Sequence, residues 1–246
     1  MSNPTQLSVL LPAYNEADRL RVNLLETLKT LDAAPQDAGV RPFELILVDD
    51  GSSDETASIA REVALLDARV RVVSYAPNAG KGEALRRGFA SAQGSLVAFL
   101  DADLDLHPRL LLDLLQVMRE QKADVVIGSK RHPASHVEYP VLRRIYSAVY
   151  FGLTRILFGL PVRDTQTGIK LFKRAVLENA FPSMQVRQYA FDLELLVLAH
   201  MAGARIIEAP VTVTSQRLSQ RIHMVAIATM FWDTLKTWWR LRVRKH

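Results

Sequence analysis

The chain has 246 residues, of which 49% are hydrophobic and 23% charged, with no Cys. That length suits one large domain or one domain with an appendage, and the composition excludes wholesale disorder and collagen-like repeats, while the lack of Cys excludes disulfides, thiolate zinc sites, iron–sulfur clusters and cysteine nucleophiles. The net charge of +5 sits at the end: residues 217–246 carry seven Lys/Arg against Asp233 alone, and the remainder is nearly neutral.

Residues 7–11 predict a short buried strand stopped by Pro12, and Asn15 is placed to cap a helix to residue 31 with Leu20, Leu24, Leu28 and Leu31 on one stripe. Residues 32–42 hold two Pro and a Gly and predict a loop. A strand at 43–48, a helix capped by Ser53 and running to 66, a strand at 70–74, a turn at 78–80, a helix at 81–92 and a strand at 96–100 follow. Pro108 opens the next helix, and residues 125–127 predict a fifth strand. After Ser129 come an apolar helix at 141–159, a polar loop at 163–168, helices at 174–179 and 191–202, short strands at 205–207 and 211–214, and a last helix at 222–240. The alternation predicts an α/β fold, a mainly parallel sheet flanked by helices, with ligands beyond the carboxyl ends of the strands. We expect a catalytic domain over residues 1–215 and a basic, Trp-rich amphipathic segment over 216–246. No nucleic-acid-binding motif accompanies the basic tail.

Two acidic clusters fall at predicted strand ends. Asp101-Ala102-Asp103-Leu104-Asp105 sets carboxylates at alternate positions after the fourth strand. Such a string can hold a hard divalent cation through oxygen ligands, or be a solvated acidic turn. Asp49 and Asp50 can accept hydrogen bonds from a nucleobase or ribose, whereas Ser52 and Ser53 read as ordinary helix capping. Lys81, after Asn78-Ala79-Gly80, faces either an anion at a helix start or solvent. The Walker spacing and a G-x-G-x-x-G after the first strand are both absent, which argues against P-loop hydrolysis and dinucleotide oxidoreduction. His132 and His136 stand four apart, but Pro133 between them argues against a regular helix, so a zinc site is not expected.

Pro12–Glu16, Val48–Ser53, Asn78–Gly82 and Asp101–Asp105, in this order, resemble glycosyltransferase family 2 with the GT-A nucleotide-sugar fold. Gly128–Arg131, Arg163–Phe172 and Ala190–Leu196 resemble the polyprenyl-phosphate sugar synthases, a group that includes dolichyl-phosphate mannose synthase and dolichyl-phosphate glucosyltransferase. The resemblance covers nearly all of residues 6–220. It implies that Asp49 contacts the donor nucleoside, that Asp101 binds the nucleotide, and that Asp103 and Asp105 hold Mg or Mn. Many members carry Gln where Asp105 stands; the departure keeps an oxygen ligand. Pro12, Tyr14, Glu16, Asp50, Lys81 and Ala102 complete the implied nucleotide-sugar set. Gln166 and Thr167 line the donor-sugar side, and Asp192 and Glu194 lie on the sugar-facing end of their helix, with Asp192 orienting a sugar hydroxyl. Arg131 sits near phosphates; Lys130 occupies the place where the family usually has Arg, so either can make the contact. A Ser-Lys pair of the family appears here as Ser219-Gln220-Arg221, which makes Arg217 and Arg221 the candidates for the acceptor phosphate.

The implied activity is an inverting transfer of a hexose from UDP-glucose or GDP-mannose to polyprenyl or dolichyl phosphate, with residues 163–172 and 189–196 leaning toward glucose. A soluble sugar acceptor and a non-catalytic nucleotide-sugar-binding protein are the alternatives. A lipid acceptor requires a membrane surface. The helix at 141–159 is either a core helix or one lying in the lipid interface, and the tail combines Phe231, Trp232, Trp238 and Trp239 with Lys236, Arg240, Arg242, Arg244 and Lys245. Packing between copies through the Trp face is the rival. The first residues lack the basic region of a signal peptide and no stretch is apolar enough to span a bilayer, so peripheral attachment at the cytoplasmic face is expected.

Overall fold

The computed structural model describes residues 5–136, 141–188, 190–213 and 224–243. Its strands are mostly short aliphatic runs buried on both sides, except that residues 70–75 expose Arg71 and Ser74. They are β1 (Leu7–Ala13), β2 (Phe43–Asp50), β3 (Val70–Tyr75), β4 (Leu96–Leu100), β5 (Val125–Ser129), β6 (Ile169–Lys173) and β7 (Ile206–Pro210). They form one sheet in the order β3-β2-β1-β4-β6-β5-β7. β6 runs antiparallel to β4 and β5, and the other pairs are parallel.

The helices are α1 (Ala17–Asp32), α2 (Thr56–Leu66), α3 (Lys81–Ser91), α4 (Leu110–Glu120), α5 (Val141–Phe158), α6 (Arg174–Ala180), α7 (Phe191–Met201) and α8 (Met224–Trp238), the last continuing into a π turn at Trp239–Val243. Successive strand residues point to opposite faces, so two apolar layers form. Leu7, Val9, Leu11, Leu45 and Leu47 pack with Leu20, Leu24, Leu111 and Leu114. Leu10, Ile46 and Val48 pack on the other face with Leu85, Leu193 and Leu196. α7 is buried nearly all round, because it lies beneath α6 and α8 rather than at the surface.

Four local expectations change. Pro12 does not stop β1; it pairs in register with Val48, past the last β1–β4 pair at Leu10 and Phe99, where a residue without N–H is tolerated because one neighbour is gone. Residues 169–173, which sequence patterning left unassigned, form the central β6. Residues 211–214 yield only isolated bridges, Thr212 to His136 and Val213 to Leu106, with residue 214 outside the described residues. Asn15 and Ser53 act differently from simple caps. Asn15 has φ of 55° and its Oδ1 accepts the Ser53 amide at 2.9 Å, while Thr56 Oγ1 and Asp54 Oδ2 accept the amides of Glu16 and Ala17 at 2.9 and 3.2 Å. The turns before α1 and α2 thus supply each other with the acceptors a helix start lacks.

α8 packs against α5 and α7. The Tyr150 ring meets Phe231 edge-on at 5.7 Å, its hydroxyl lies 3.0 Å from that of Thr234, and Arg242 Nη2 donates to the Phe158 carbonyl at 3.0 Å. The expected boundary between residues 215 and 216 lies outside the described residues. Among the described residues, no helix is long and apolar enough to cross a membrane.

Candidate active site

The carboxyl ends of β1, β2 and β4 and the start of the antiparallel β6 meet at one edge of the sheet. Asp50, at the end of β2, is buried and accepts from Tyr75 Oη (2.7 Å), Asn78 Nδ2 (3.0 Å) and the amides of Ala79 (2.7 Å) and Gly80 (2.9 Å). It fixes the loop that leads into α3. Its carboxylate also holds the Tyr75 phenol, whose pKa burial pushes up, with Asp50 adding to the rise. Asp49 accepts the Ser52 amide at 3.0 Å and the Ser74 hydroxyl at 2.7 Å. Between them and the next turn, Gly51 has φ of 71°, and a Cβ there would lie 2.7 Å from the Asn78 amide nitrogen.

Asp101 follows β4 and pairs with Lys81 from the first turn of α3. Burial opposes the Lys81 charge, but Asp101 and Asp192 outweigh it and raise its pKa. Asp192, in the first turn of α7, is buried and lies 2.6 Å from Lys170 Nζ, which also donates to the Thr167 carbonyl at 2.6 Å. Burial raises the Asp192 pKa against the pull of Lys170 and Lys81. Asp101, Lys81, Asp192 and Lys170 thus form a run of alternating charges along the inner wall. Gly168 completes it: a Cβ there would sit 1.9 Å from Asp101 Oδ2.

The acidic turn beyond Asp101 is held from below by Asn23, whose Nδ2 donates to the Ala102 carbonyl at 2.6 Å. Leu104 sits at φ of 52°, a conformation that disfavours a residue with a Cβ. Burial raises the Asp103 pKa, and the charges of Asp101 and Asp105 raise it further. A cation relieves that crowding. Among the described residues no three His, Cys, Asp or Glu side chains converge into a metal cage. Asp103 and Asp105 are hard oxygen donors on that turn, and Asp103 Oδ1 accepts the Asp105 amide at 3.1 Å.

The loop before β6 is held by two carboxylates. Asp164 accepts from the amides of Lys130 (2.9 Å) and Gln166 (3.0 Å) and from the Thr167 hydroxyl (2.5 Å), and Glu208 accepts the amides of Arg163 and Asp164 at 2.7 and 3.0 Å. Thr167 therefore turns its hydroxyl into the loop. The buried Gln166 Nε2 has no hydrogen-bond partner among the described residues, which leaves it a donor for a ligand. Lys130 and Arg131 leave the end of β5, and the Arg131 guanidinium stacks 5.0 Å from the Phe151 ring centroid.

The other expected site residues are placed as follows. Glu194, buried like Asp192, has different partners: it accepts the amides of Gln185 (3.1 Å) and Val186 (2.7 Å), and pairs with Arg240. Positions two apart on a helix point in different directions, so one helix end could not present both carboxylates to a sugar. Pro12 lies within β1, Tyr14 is half exposed beyond it, Glu16 precedes α1, and Ala102 is buried. Arg217 and Arg221 lie outside the described residues. Sequence reasoning missed Lys170 and Gly168. Their signal was a lysine inside the apolar run Ile169-Lys170-Leu171-Phe172, directly after a glycine.

Residues 8–181 match the family model described as "Glycosyl transferase family 2". The chain is 35% identical over 241 residues to glycosyltransferase AglD of Haloferax volcanii, covering 97% of this chain and 38% of that protein. It is 34% identical over 224 residues to the human dolichyl-phosphate beta-glucosyltransferase, covering 86% of this chain and 68% of that one. The chain therefore spans well under half of the archaeal relative and about two thirds of the human one. Among solved structures, it resembles a Mycobacterium tuberculosis glucosyl-3-phosphoglycerate synthase in complex with Mn2+, UDP and glucosyl-3-phosphoglycerate, with a TM-score of 0.69 at 22% identity, covering 96% of this chain and 79% of that one. A mannosyltransferase from Pyrobaculum calidifontis in complex with GDP-Man and Mn2+ gives a TM-score of 0.63 at 21% identity, covering 99% and 65%. At those identities the structures establish the fold, which is the GT-A arrangement. The match over residues 8–181 makes this chain a member of glycosyl transferase family 2.

Proposed function

We propose that the protein transfers glucose, with inversion, from UDP-glucose to a polyprenyl or dolichyl phosphate at a membrane surface. The observation that carries this reading is the alternating charge wall beside a strained acidic turn. It offers carboxylates for a divalent cation, Mg or Mn, and Lys81 for a diphosphate in one place. The names of the relatives supply the acceptor class, and their glucosyl branch favours UDP-glucose over GDP-mannose.

In this reading an oxygen of the lipid phosphate attacks the anomeric carbon while the bond from that carbon to the nucleoside diphosphate breaks. The acceptor is already ionised near neutral pH, its second pKa being about 6, so a strong general base is dispensable. A cation held by Asp103 and Asp105 would neutralise charge on the departing diphosphate. Asp49 orients the nucleoside and Asp101 holds Lys81 toward the phosphates. Gln166 Nε2 donates to the sugar. Asp192, locked by Lys170, accepts from a sugar hydroxyl. Arg131, braced on Phe151, meets the acceptor phosphate. Positioning and charge stabilisation supply most of the acceleration.

The membrane surface enters through exposed apolar residues. Trp232, Leu235 and Trp239 are exposed at spacings of three and four along α8 and its π turn, and Val149 and Ile156 are exposed seven apart on α5. Lys236 Nζ lies 5.5 Å from the Trp232 ring centroid. An aromatic stripe with neighbouring cations suits the headgroup region of anionic lipid at the cytoplasmic face.

The test is a panel of radiolabelled UDP-glucose and GDP-mannose with a short-chain isoprenyl phosphate, with and without Mn2+. A chloroform-extractable, mild-acid-labile product from UDP-glucose, lost without metal and in a folded Asp103→Ala variant, is the expected result. Turnover onto soluble sugars without lipid would overturn the acceptor assignment.

A further inference from the structure

The stretch from Met184 to Gln188 joins a 3-10 turn at Phe181–Ser183 to α7 and lies on the first turn of α3. The Arg187 carbonyl accepts the Gly82 amide at 2.9 Å. A Cβ on Gly80 would lie 2.6 Å from that same oxygen, and a Cβ on Gly82 would lie 2.7 Å from Phe191 Cβ. Two glycines therefore let this stretch and the start of α7 close onto the helix end that carries Lys81. Its geometry is set by Glu194, whose carboxylate holds the amides of Gln185 and Val186 from inside the core.

A carboxylate with no solvent exposure needs a paired cation, because an uncompensated buried charge is strongly destabilising. The cation is Arg240, from the π turn that follows α8. Its Nη1 also donates to the Ser183 carbonyl at 3.1 Å. One guanidinium thus grips the stretch at its entry and, through Glu194, at its middle. A chain of contacts, linked through sequence neighbours, runs from the C-terminal helix to the acidic site: Arg240 to Glu194, Glu194 to Val186, Arg187 to Gly82, and Lys81 to Asp101.

We infer that Glu194 and Arg240 form a strut that positions Lys81 for the nucleotide sugar, so that donor binding depends on the seating of the C-terminal helix. The inference rests on the reading of this site as a nucleotide-sugar site. Glu194 and Arg240 are positioning residues here, and the donor touches neither. The ion pair ties the π turn that follows α8 to the stretch beside the donor pocket, in addition to the packing of α8 on α7.

The experiment compares wild type with Arg240→Met, Glu194→Gln, the double variant and Arg240→Lys. Calorimetry with UDP-glucose and Mn2+ is expected to show donor Kd rising about tenfold in each of the first two, a coupling of ordinary size between linked sites. The double variant is expected to be no worse than the single ones, since both break one connection. Arg240→Lys, which keeps the charge, is expected to recover most of the affinity. Amide exchange at Gln185, Val186 and Gly82 is expected to accelerate in Arg240→Met while β2 stays protected. Turnover is expected to show the loss in donor KM, with kcat nearly constant. Unchanged donor Kd in folded Arg240→Met, or additive losses in the double variant, would overturn the strut while leaving the function intact. A wild-type protein that binds neither UDP-glucose nor GDP-mannose would overturn the functional reading itself. If either single variant fails to fold, the double variant and Arg240→Lys decide, because neither leaves the buried Glu194 carboxylate charged and unpaired: a raised donor Kd in the double variant with near-wild-type Kd in Arg240→Lys supports the strut, and an unchanged Kd in the double variant overturns it.

Discussion

Gly168→Ala adds one methyl group where β6 begins, and its effect can be worked from the geometry. The backbone there lies outside the left-handed region, so alanine meets no conformational barrier. The new Cβ would fall 1.9 Å from Asp101 Oδ2 and 2.4 Å from its Cγ, whereas ordinary contact begins at 3.4 Å. Something must retreat by about 1.5 Å to reach that contact distance. β6 is hydrogen-bonded on both sides, to β4 and β5, whereas the Asp101 side chain is about one third exposed and can swing outward. The carboxylate is therefore the part that moves, and it leaves Lys81. A misplacement of about 1 Å at a reacting site costs about 100-fold. We expect kcat/KM for transfer from UDP-glucose to an isoprenyl phosphate to fall by about that factor. The melting temperature should shift by less than about 4 °C, since ~1 kcal/mol moves a domain this long by 2–4 °C. Activity within threefold of wild type would refute the argument that Asp101 must stand where Gly168 admits it. A large loss of thermal stability would show that the strand moved instead.

Three further outcomes follow from other hydrogen-bonded and ion-paired carboxylates of the fold. Lys170→Met leaves Asp192 buried without its nearest cation and should lower stability by about 3 kcal/mol at pH 8. Burial already raises the Asp192 pKa, and losing Lys170 raises it more, so the folded variant takes up a proton as pH falls and the deficit measured by urea unfolding should shrink at pH 5; equal deficits at both pH values would count against the pairing. Asp50→Ala strips acceptors from the amides of Ala79 and Gly80 and should cost about 2–4 kcal/mol in the same assay, with a matching loss of donor affinity as the turn before Lys81 loosens. Hydrogen bonds from Arg69 hold Asp67 and Asp32 below the usual carboxylate range. That stabilisation is complete above their unfolded values near 4 and disappears as pH falls through the depressed ones, so Arg69→Ala should unfold at a higher pH in an acid titration followed by circular dichroism.

The strand and helix order was readable because the aliphatic runs are short and bounded by Gly, Pro or polar residues, and most are buried on both faces. β6 escaped notice because Lys170 interrupts its apolar pattern, and only the fold supplies Asp192 and the Thr167 carbonyl that make a buried ammonium tolerable. Motifs placed Asp49, Asp50, Asp101, Asp103 and Asp192 at one end of the sheet. They could not tell which carboxylates face a ligand and which hold the chain. Asp50 and Glu194 bind backbone amides that lie 30 and 8 residues away in sequence, a relation invisible until the loops are folded. Asp164 was passed over in the motif that contains it for the same reason.

The Lys130 amide donates to the Asp164 carboxylate across 34 residues of chain. That bond and the β5–β6 ladder join the two ends of the excursion carrying α5 at the sheet edge. The excursion thus has a fixed base. On the proposed reading, exchanging it between relatives is expected to change which hydrophobic acceptor tail is accommodated while leaving the wall of alternating charges intact.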